Sequence, residues 1–269
     1  MPGIGDEFQR RTRYRRDELP GGWLDWAARP EPFKLYPGAP RVTLPPPPGV
    51  QAEGVKADGA TADGPAATAP GYPETSLWRA LRARHSGRSY GGAPLTLAEV
   101  GASLWAASGV RGEADGLPAR TAPSAGGLYP IETYLVAHRV EGLETGVYHY
   151  AVLDHALEQV ETAPAADLRR RAAAAALDQP IAGLCDAVVV WTAVLERTLW
   201  KYGQRGHRYV YMDAGHVGEN LALAAAALGL ESCHIAAIYD DEADALVGVE
   251  APEETVLYLT TLGRAPARR

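Results

Sequence analysis

The segment DAGHVGENLALAAAALGL, residues 213–230, is apolar on nearly every side. A helix of that kind cannot show a broad face to water, so it belongs inside a core or against another subunit. The rest of the chain can supply that core, because 46% of its 269 residues are hydrophobic. The length fits one large domain or two small ones. A net charge of -7 argues against a nucleic-acid binder, which would carry a basic face. No uninterrupted apolar run approaches the roughly eighteen residues of a membrane span. The opening MPGIGDEFQRRTRYRR has no apolar stretch behind its charges, so a secretory signal is not expected and a cytoplasmic setting is. Cys185 and Cys233 stand far apart in apolar surroundings and read as buried free thiols. No histidine spacing suggests a metal site.

Two unlike regions follow from composition. Residues 1–73 hold most of the prolines, including GGWLDWAARPEPFKLYPGAP and LPPPPG at 44–49, with a Gly/Ala/Asp stretch at 51–70. The proline run favours an extended conformation and the later stretch a linker. Trp23, Trp26, Phe33 and Tyr36 are costly to leave in water. The region therefore reads as an arm wrapped over a folded body, its own or a partner's. From residue 74 to 269 the patterns become regular. TSLWRALRARHS offers Thr75 or Ser76 as a cap, with Leu77, Trp78 and Leu81 at helical spacing. Thr96 and Glu99 form a capping box and Gly109 a stop. Residues 110–128 read as an irregular loop. IETYLVAHRV and VYHYAVL read as a hairpin joined by EGLETG. An Ala-rich helix covers about 165–177, and DAVVVWTAVL (186–195) is a buried strand. A basic loop leads into the helix at 213–230. ESCHIAAIY, DDEADALVG and EETVLYLTTLG close the chain as strand, helix and strand. The early hairpin breaks a parallel winding, which points to an α+β arrangement with a mixed central sheet flanked by helices.

Four stretches exceed ordinary scaffolding. Arg84-His85-Ser86-Gly87-Arg88 packs two guanidinium groups and a hydroxyl into five residues: a solvated helix end or an anion socket. Thr121 to Pro130, TAPSAGGLYP, has small residues that let a backbone lie flat against a ligand, or simply lead into a strand. Trp200-Lys201-Tyr202-Gly203-Gln204-Arg205-Gly206-His207-Arg208 follows the core strand, where sheets commonly place ligands. A lysine desolvated there by a flat ring serves as a proton acceptor; otherwise the loop is an exposed basic one. Leu262-Gly263-Arg264 leaves an arginine free to fold back on an anion. His216 and Asn220 read as core or interface residues. No GxGxxG, Walker loop or GxSxG elbow is present.

Taken in order, these pieces resemble the FMN-dependent nitroreductase superfamily, and within it the SagB-type dehydrogenases. RHSGRSY resembles the opening R-x-S-x-R motif, PSAGGLYPIETYLV the PSAGxLYPxE pattern, and residues 200–230 the Lys-Tyr loop with its long helix. The resemblance covers about Arg84 to Arg264. It implies an intertwined homodimer with a four- or five-stranded sheet and two FMN molecules between subunits. It implies that Arg84, Ser86 and Arg264, with His85 in the same segment, hold the FMN phosphate and ribityl chain. Arg88 would face the ring, and Pro123, Ser124, Ala125 and Gly126 would line it. The backbone at Ala236 and Ala237 would approach N5 and O4, where many relatives carry glycine. Lys201 and Tyr202 would abstract a proton while an azoline ring in a peptide is oxidised to an azole and oxygen restores the flavin. A cyclodehydratase complex is an implied partner. Two other functions remain in view: an NAD(P)H-dependent nitro or quinone reductase, and a non-catalytic flavin- or peptide-binding subunit. The Lys-Tyr pair favours the first reading, because a plain reductase has less need of a dedicated base.

Overall fold

Residues 187–194 are eight consecutive buried or nearly buried positions, AVVVWTAV, and only a strand covered on both faces uses such a run. The computed structural model, which describes residues 4–12, 24–46, 77–114 and 117–267, places that strand in the middle of the sheet. The elements in chain order are α1 (Ile4–Arg11), β1 (Arg41–Thr43), α2 (Leu77–Ala83), α3 (Leu97–Ser108), β2 (Val110–Ala114), β3 (Leu117–Arg120), β4 (Ile131–Ala137), β5 (Gly146–Ala151), β6 (Ala156–Thr162), α4 (Ala165–Ala175), α5 (Ile181–Leu184), β7 (Ala187–Val194), α6 (Glu196–Tyr202), α7 (Gly206–Ala227), β8 (Glu231–Ile235), α8 (Asp240–Val247) and β9 (Glu254–Gly263). Seven strands form one sheet in the order β1-β6-β5-β4-β7-β9-β8, and β2 and β3 form a separate hairpin.

Alternate side chains of the central strands feed two cores. Ile131, Leu135, Val189 and Trp191 pack under α3 and α7 on one face. Tyr134, Val136, Val188 and Val190 pack under α4, α5 and α8 on the other. Each fully buried side chain of this size contributes roughly 1.5–3 kcal/mol, which is why so little of the central sheet is polar. The three layers realise the α+β arrangement of helices about a sheet. The ladder itself is antiparallel, because β4, β5 and β6 follow one another by short turns. The parallel component expected of a mixed sheet is confined to two single bridges, Ser86–Ser232 and Leu95–Val140.

Several expectations need correction. The sheet exceeds four or five strands, because Arg41–Thr43 and Ala156–Thr162 add β1 and β6, segments with too little alternation to read as strands. Residues 110–114 and 117–120 pair as antiparallel strands rather than forming an irregular loop, with a register shift between Val110 and Gly112 that obscured the pattern. The basic stretch at 200–208 is mostly helical: α6 ends at Tyr202, Gly203 takes φ +52°, and α7 begins at Gly206. The long helix therefore starts seven residues before Asp213. It buries Val217, Leu221 and Ala225 but leaves Tyr211 and Met212 exposed, with His216 exposed and Asn220 half-buried. Leu77, Trp78 and Leu81 also lie exposed on α2, and Ala80 is that helix's buried residue. Thr75, Ser76, Trp23 and the 51–70 stretch fall outside the described residues. No helix among the described residues is long and apolar enough to cross a membrane. Cys185 and Cys233 are free and buried, and burial pushes the Cys185 thiol up to about 12.

Candidate functional site

After α2 the chain runs beside the outer strand β8. Gly87 donates its N–H to Ser232 O at 2.9 Å. That closeness requires glycine, since a Cβ there would sit 1.5 Å from Glu231 Oε2. The same carboxylate meets His85 Nε2 at 2.9 Å. Tyr90 fixes the segment from below, its hydroxyl 2.7 Å from Thr261 Oγ1 and donating to Gly87 O at 3.1 Å. The N–H groups of Gly91 and Gly92 both reach Arg264 O, at 3.2 and 3.1 Å. The first and last sequence motifs are thereby held side by side. Arg84 Nε lies 3.4 Å from Glu219 on α7, and Arg88 donates to Ser86 O at 3.2 Å. Arg264 donates through one terminal nitrogen to Glu99 at 2.6 Å, while its Nε is buried without a partner. Ser86 and Arg88 are exposed.

A second cluster forms around TAPSAGGLYP. Residues 125–127 make a 3-10 turn in which Gly126 and Gly127 both take φ +65°. Asp213, at the buried start of the apolar run in α7, holds this turn. Its carboxylate accepts from Ser124 Oγ at 2.5 Å and from Ala125 N–H at 3.3 Å. Ser124 Oγ in turn accepts from Tyr129 N–H at 2.9 Å. The Ser124 hydroxyl is thus committed to shaping the loop. Burial raises the Asp213 carboxyl above the ordinary range, against the opposing bonds from Ser124 and Ala125. Lys201 and Tyr202 arrive from α6 on the open side of the turn. A Cβ on Gly126 would lie 2.6 Å from Tyr202 Oη and 3.1 Å from Lys201 Nζ. Lys201 is exposed, its Nζ 5.5 Å from the centre of the Tyr202 ring, and Tyr202 stands edge-on to Tyr209 at 4.8 Å.

Helix α7 joins the two clusters. Glu219, which meets Arg84, and Asp213, which holds Ser124, are six residues apart, or about 9 Å along the axis. Between them Tyr258 donates to Ala214 O at 2.7 Å, and a Cβ on Gly218 would strike Tyr258 Oη at 1.9 Å. His234 lies in the same interval, bonded to Thr260 Oγ1 at 2.8 Å; burial lowers its pKa, with Glu219 opposing. Ala236 and Ala237 lie exposed just beyond β8, where Gln179 reaches Ala237 O at 3.5 Å. Asp213, Glu219, Glu231 and His234 gave no pattern in the sequence. Asp213 and His234 each stand between apolar neighbours, which was the available signal, whereas Glu219 precedes Asn220 and Glu231 precedes Ser232 and neither stands out. A flat group suits the turn at Gly127, where a Cβ would meet nothing within 4 Å, beside the Lys201 and Tyr202 side chains, and an anion suits the orphaned Arg264 Nε and the neighbouring arginines. The donor set therefore fits a planar cofactor with an anionic tail. No group of three His, Cys, Asp or Glu residues suited to a metal ion occurs among the described residues.

Known proteins are similar to this chain in sequence and fold. A Methanocaldococcus jannaschii protein classed as a nitroreductase, MJ1384, is 37% identical over 195 residues, 72% of this chain and 94% of its own. The microcin B17-processing protein McbC of Escherichia coli is 35% identical over 117 residues, a match spanning 42% of each chain. The E. coli microcin synthetase McbBCD complex with truncated pro-MccB17 bound contains a chain that superimposes with a TM-score of 0.61 at 25% identity, over 76% of this chain and 79% of that one. The sequence also matches the Nitroreductase family over residues 81–264, a span that includes both clusters and the helix between them. The chain belongs to the nitroreductase family, a family of oxidoreductases.

Proposed function

We propose that the protein is an FMN-dependent oxidoreductase of the SagB type, acting as a homodimer and oxidising azoline rings of a modified peptide to azoles. The observation that carries this reading is the seating of Lys201 Nζ and Tyr202 Oη against the bare face of Gly126. A ring lying beside that contact, on the open side of Gly127, has a base and a phenol within reach. FMN, when bound, supplies the two-electron acceptor. With such an acceptor bound, the azoline would give up one hydrogen as a proton to Lys201 or Tyr202 and the other with its electron pair. Arg84, Ser86 and Arg264 would hold the phosphate, with His85 beside them, and Arg88 would face the ring edge. Pro123, Ser124, Ala125 and Gly126 would form the ring's floor, and the backbone at Ala236 and Ala237 its far edge. Asp213 keeps that floor in shape. The likeness to McbC and to a chain of the McbBCD synthetase complex supports a peptide substrate and a place in a modification complex, for which a cyclodehydratase is the proposed partner.

The test uses purified full-length protein. It is expected to be yellow, to release FMN on denaturation, and to convert a thiazoline-bearing peptide to the thiazole. Lys201→Ala should retain FMN and lose on the order of 100-fold in turnover, the scale of general-base catalysis. Retained turnover would remove the base assignment, and colourless protein that takes up no FMN would remove the cofactor. The match to MJ1384 over nearly its whole length favours a second reading, an NAD(P)H-dependent reductase of nitro compounds or quinones. Rapid bleaching of the bound flavin by NADPH, without azoline oxidation, would establish that reading instead.

A further inference from the structure

Helix α6 carries the Lys-Tyr pair but has little reason to hold its place alone. It has seven residues, no side-chain cap at Leu195, and ends at a positive-φ glycine. Isolated helices of that length are unstable in water, so its position comes from tertiary contacts. Besides its packing on α7, two side chains supply polar ones. Arg197, 4% exposed, donates through Nε to Glu31 O at 2.9 Å and through a terminal nitrogen to Tyr129 O at 3.2 Å and Glu132 Oε1 at 2.5 Å. One turn later Trp200 donates to Asp25 O at 2.9 Å, and its ring meets Trp26 edge-on at 5.5 Å. The backbone of residues 25–31 thus runs along α6 and is tied to it at both ends.

The geometry points to Arg197 as a positioning residue for the Lys201–Tyr202 pair, with residues 25–31 as the strut against which it locks α6. The inference rests on the base assignment above. Arg197 and Lys201 are one turn apart on α6, and Tyr129 and Gly126 are three residues apart in the loop. The Arg197–Tyr129 bond therefore pins one end of the helix–loop contact, and the approach of Lys201 and Tyr202 to Gly126 is the other end. Loss of the pin lets the base drift from the floor of the site, and a displacement near 1 Å can cost about 100-fold in rate. A purely structural Arg197 would need the Glu132 bond alone, and bonds to the arm and the loop would be superfluous.

The experiment compares FMN-loaded full-length protein with Arg197→Lys, which keeps the charge beside Glu132 but loses the fork, and with Trp26→Ala, which removes an exposed ring. Both should fold and bind FMN with affinity within about 2-fold of the parent by fluorescence quenching, since neither touches the arginine cluster. Amide exchange in peptides covering 196–203 should quicken about 10-fold in each. Turnover of a thiazoline peptide should fall about 10-fold or more, with KM within about 2-fold and dithionite reduction of the flavin unchanged. Unchanged exchange in 196–203 overturns the strut. Quickened exchange with unchanged turnover overturns the positioning role, as does an equal loss of turnover and FMN affinity. The exchange readout needs no substrate, so a parent protein inactive on azolines removes the proposed reaction while still judging the strut.

Discussion

At the scale of single residues, the heaviest electrostatic load falls on Glu132. It is fully enclosed, with Arg197 on one oxygen and His149 Nε2 on the other at 3.0 Å. His149 lies in turn between Glu132 and Glu158, and Arg120 is near. Burial works to raise the Glu132 carboxyl, but the His149 hydrogen bond and the charges of Arg197, His149 and Arg120 prevail and bring it from 4.5 to about 2. The folded pKa lies below the unfolded one. The stabilisation is therefore complete above pH 4.5 and is lost as pH falls towards 2, a difference on the order of 3 kcal/mol. Urea midpoints followed from about pH 6 down to pH 2.5 should fall steeply below 4.5 in the parent. Glu132→Gln should be less stable at neutrality by about 3–5 kcal/mol, since Arg197 loses its buried partner, and its acid slope should be shallower. Equal slopes would show that the load is carried elsewhere. None of this was legible in the sequence. Glu132 is a single charge in an apolar run and Arg197 follows Glu196 in a stretch of mixed polarity, and only the fold reveals that β4 and α6 bring them together.

Elements written in local chemistry were legible. Thr96 and Glu99 do form both halves of a capping box, with Glu99 N–H donating to Thr96 Oγ1 at 3.2 Å and Thr96 N–H to Glu99 Oε2 at 2.9 Å. Glu99 also accepts from Arg264, so the cap of α3 is tied to the candidate anion site. Thr96→Ala should lower stability by about 1 kcal/mol, read as a lower urea midpoint at unchanged m. A midpoint unmoved by the change would mean that Glu99 and packing hold the helix start without the threonine. The hairpin of β4 and β5, the strand β7 and the closing strand–helix–strand were likewise readable, because period and turn residues agree there. What escaped notice were elements defined by their neighbours. β1 exists because Arg41–Thr43 has the edge of β6 to pair with. α6 exists because residues 25–31 and the sheet hold it, and a seven-residue run of mixed polarity carries no period that announces it.

At the scale of the whole molecule, the N-terminal residues that are described behave as part of the body. Lys34 donates to Tyr134 Oη at 2.7 Å and pairs with Glu254, reaching across β4 to β9. Burial works against the charge on Lys34, but the Glu254 bond outweighs it and its pKa is raised. Among the described residues, large apolar side chains meet solvent on α2 and α7. Trp78 is 75% exposed on α2, with Leu77 and Leu81 beside it, and Tyr211 and Met212 are exposed on α7. These two helices pack on each other, and together they carry five of the large apolar side chains that meet solvent. Each would contribute roughly 1.5–3 kcal/mol on burial, and their sum must exceed the cost of holding two bodies together. A two-fold dimer buries the same face of both copies at once, which doubles the gain for one association cost. The protein is expected to sediment at twice 28.6 kDa at micromolar concentration. The double variant Trp78→Glu, Met212→Glu should sediment as a folded monomer with unchanged circular dichroism, since both side chains already face water in the single chain. A monomeric parent would overturn the dimer. A double variant that stays dimeric would move the interface off α2 and α7.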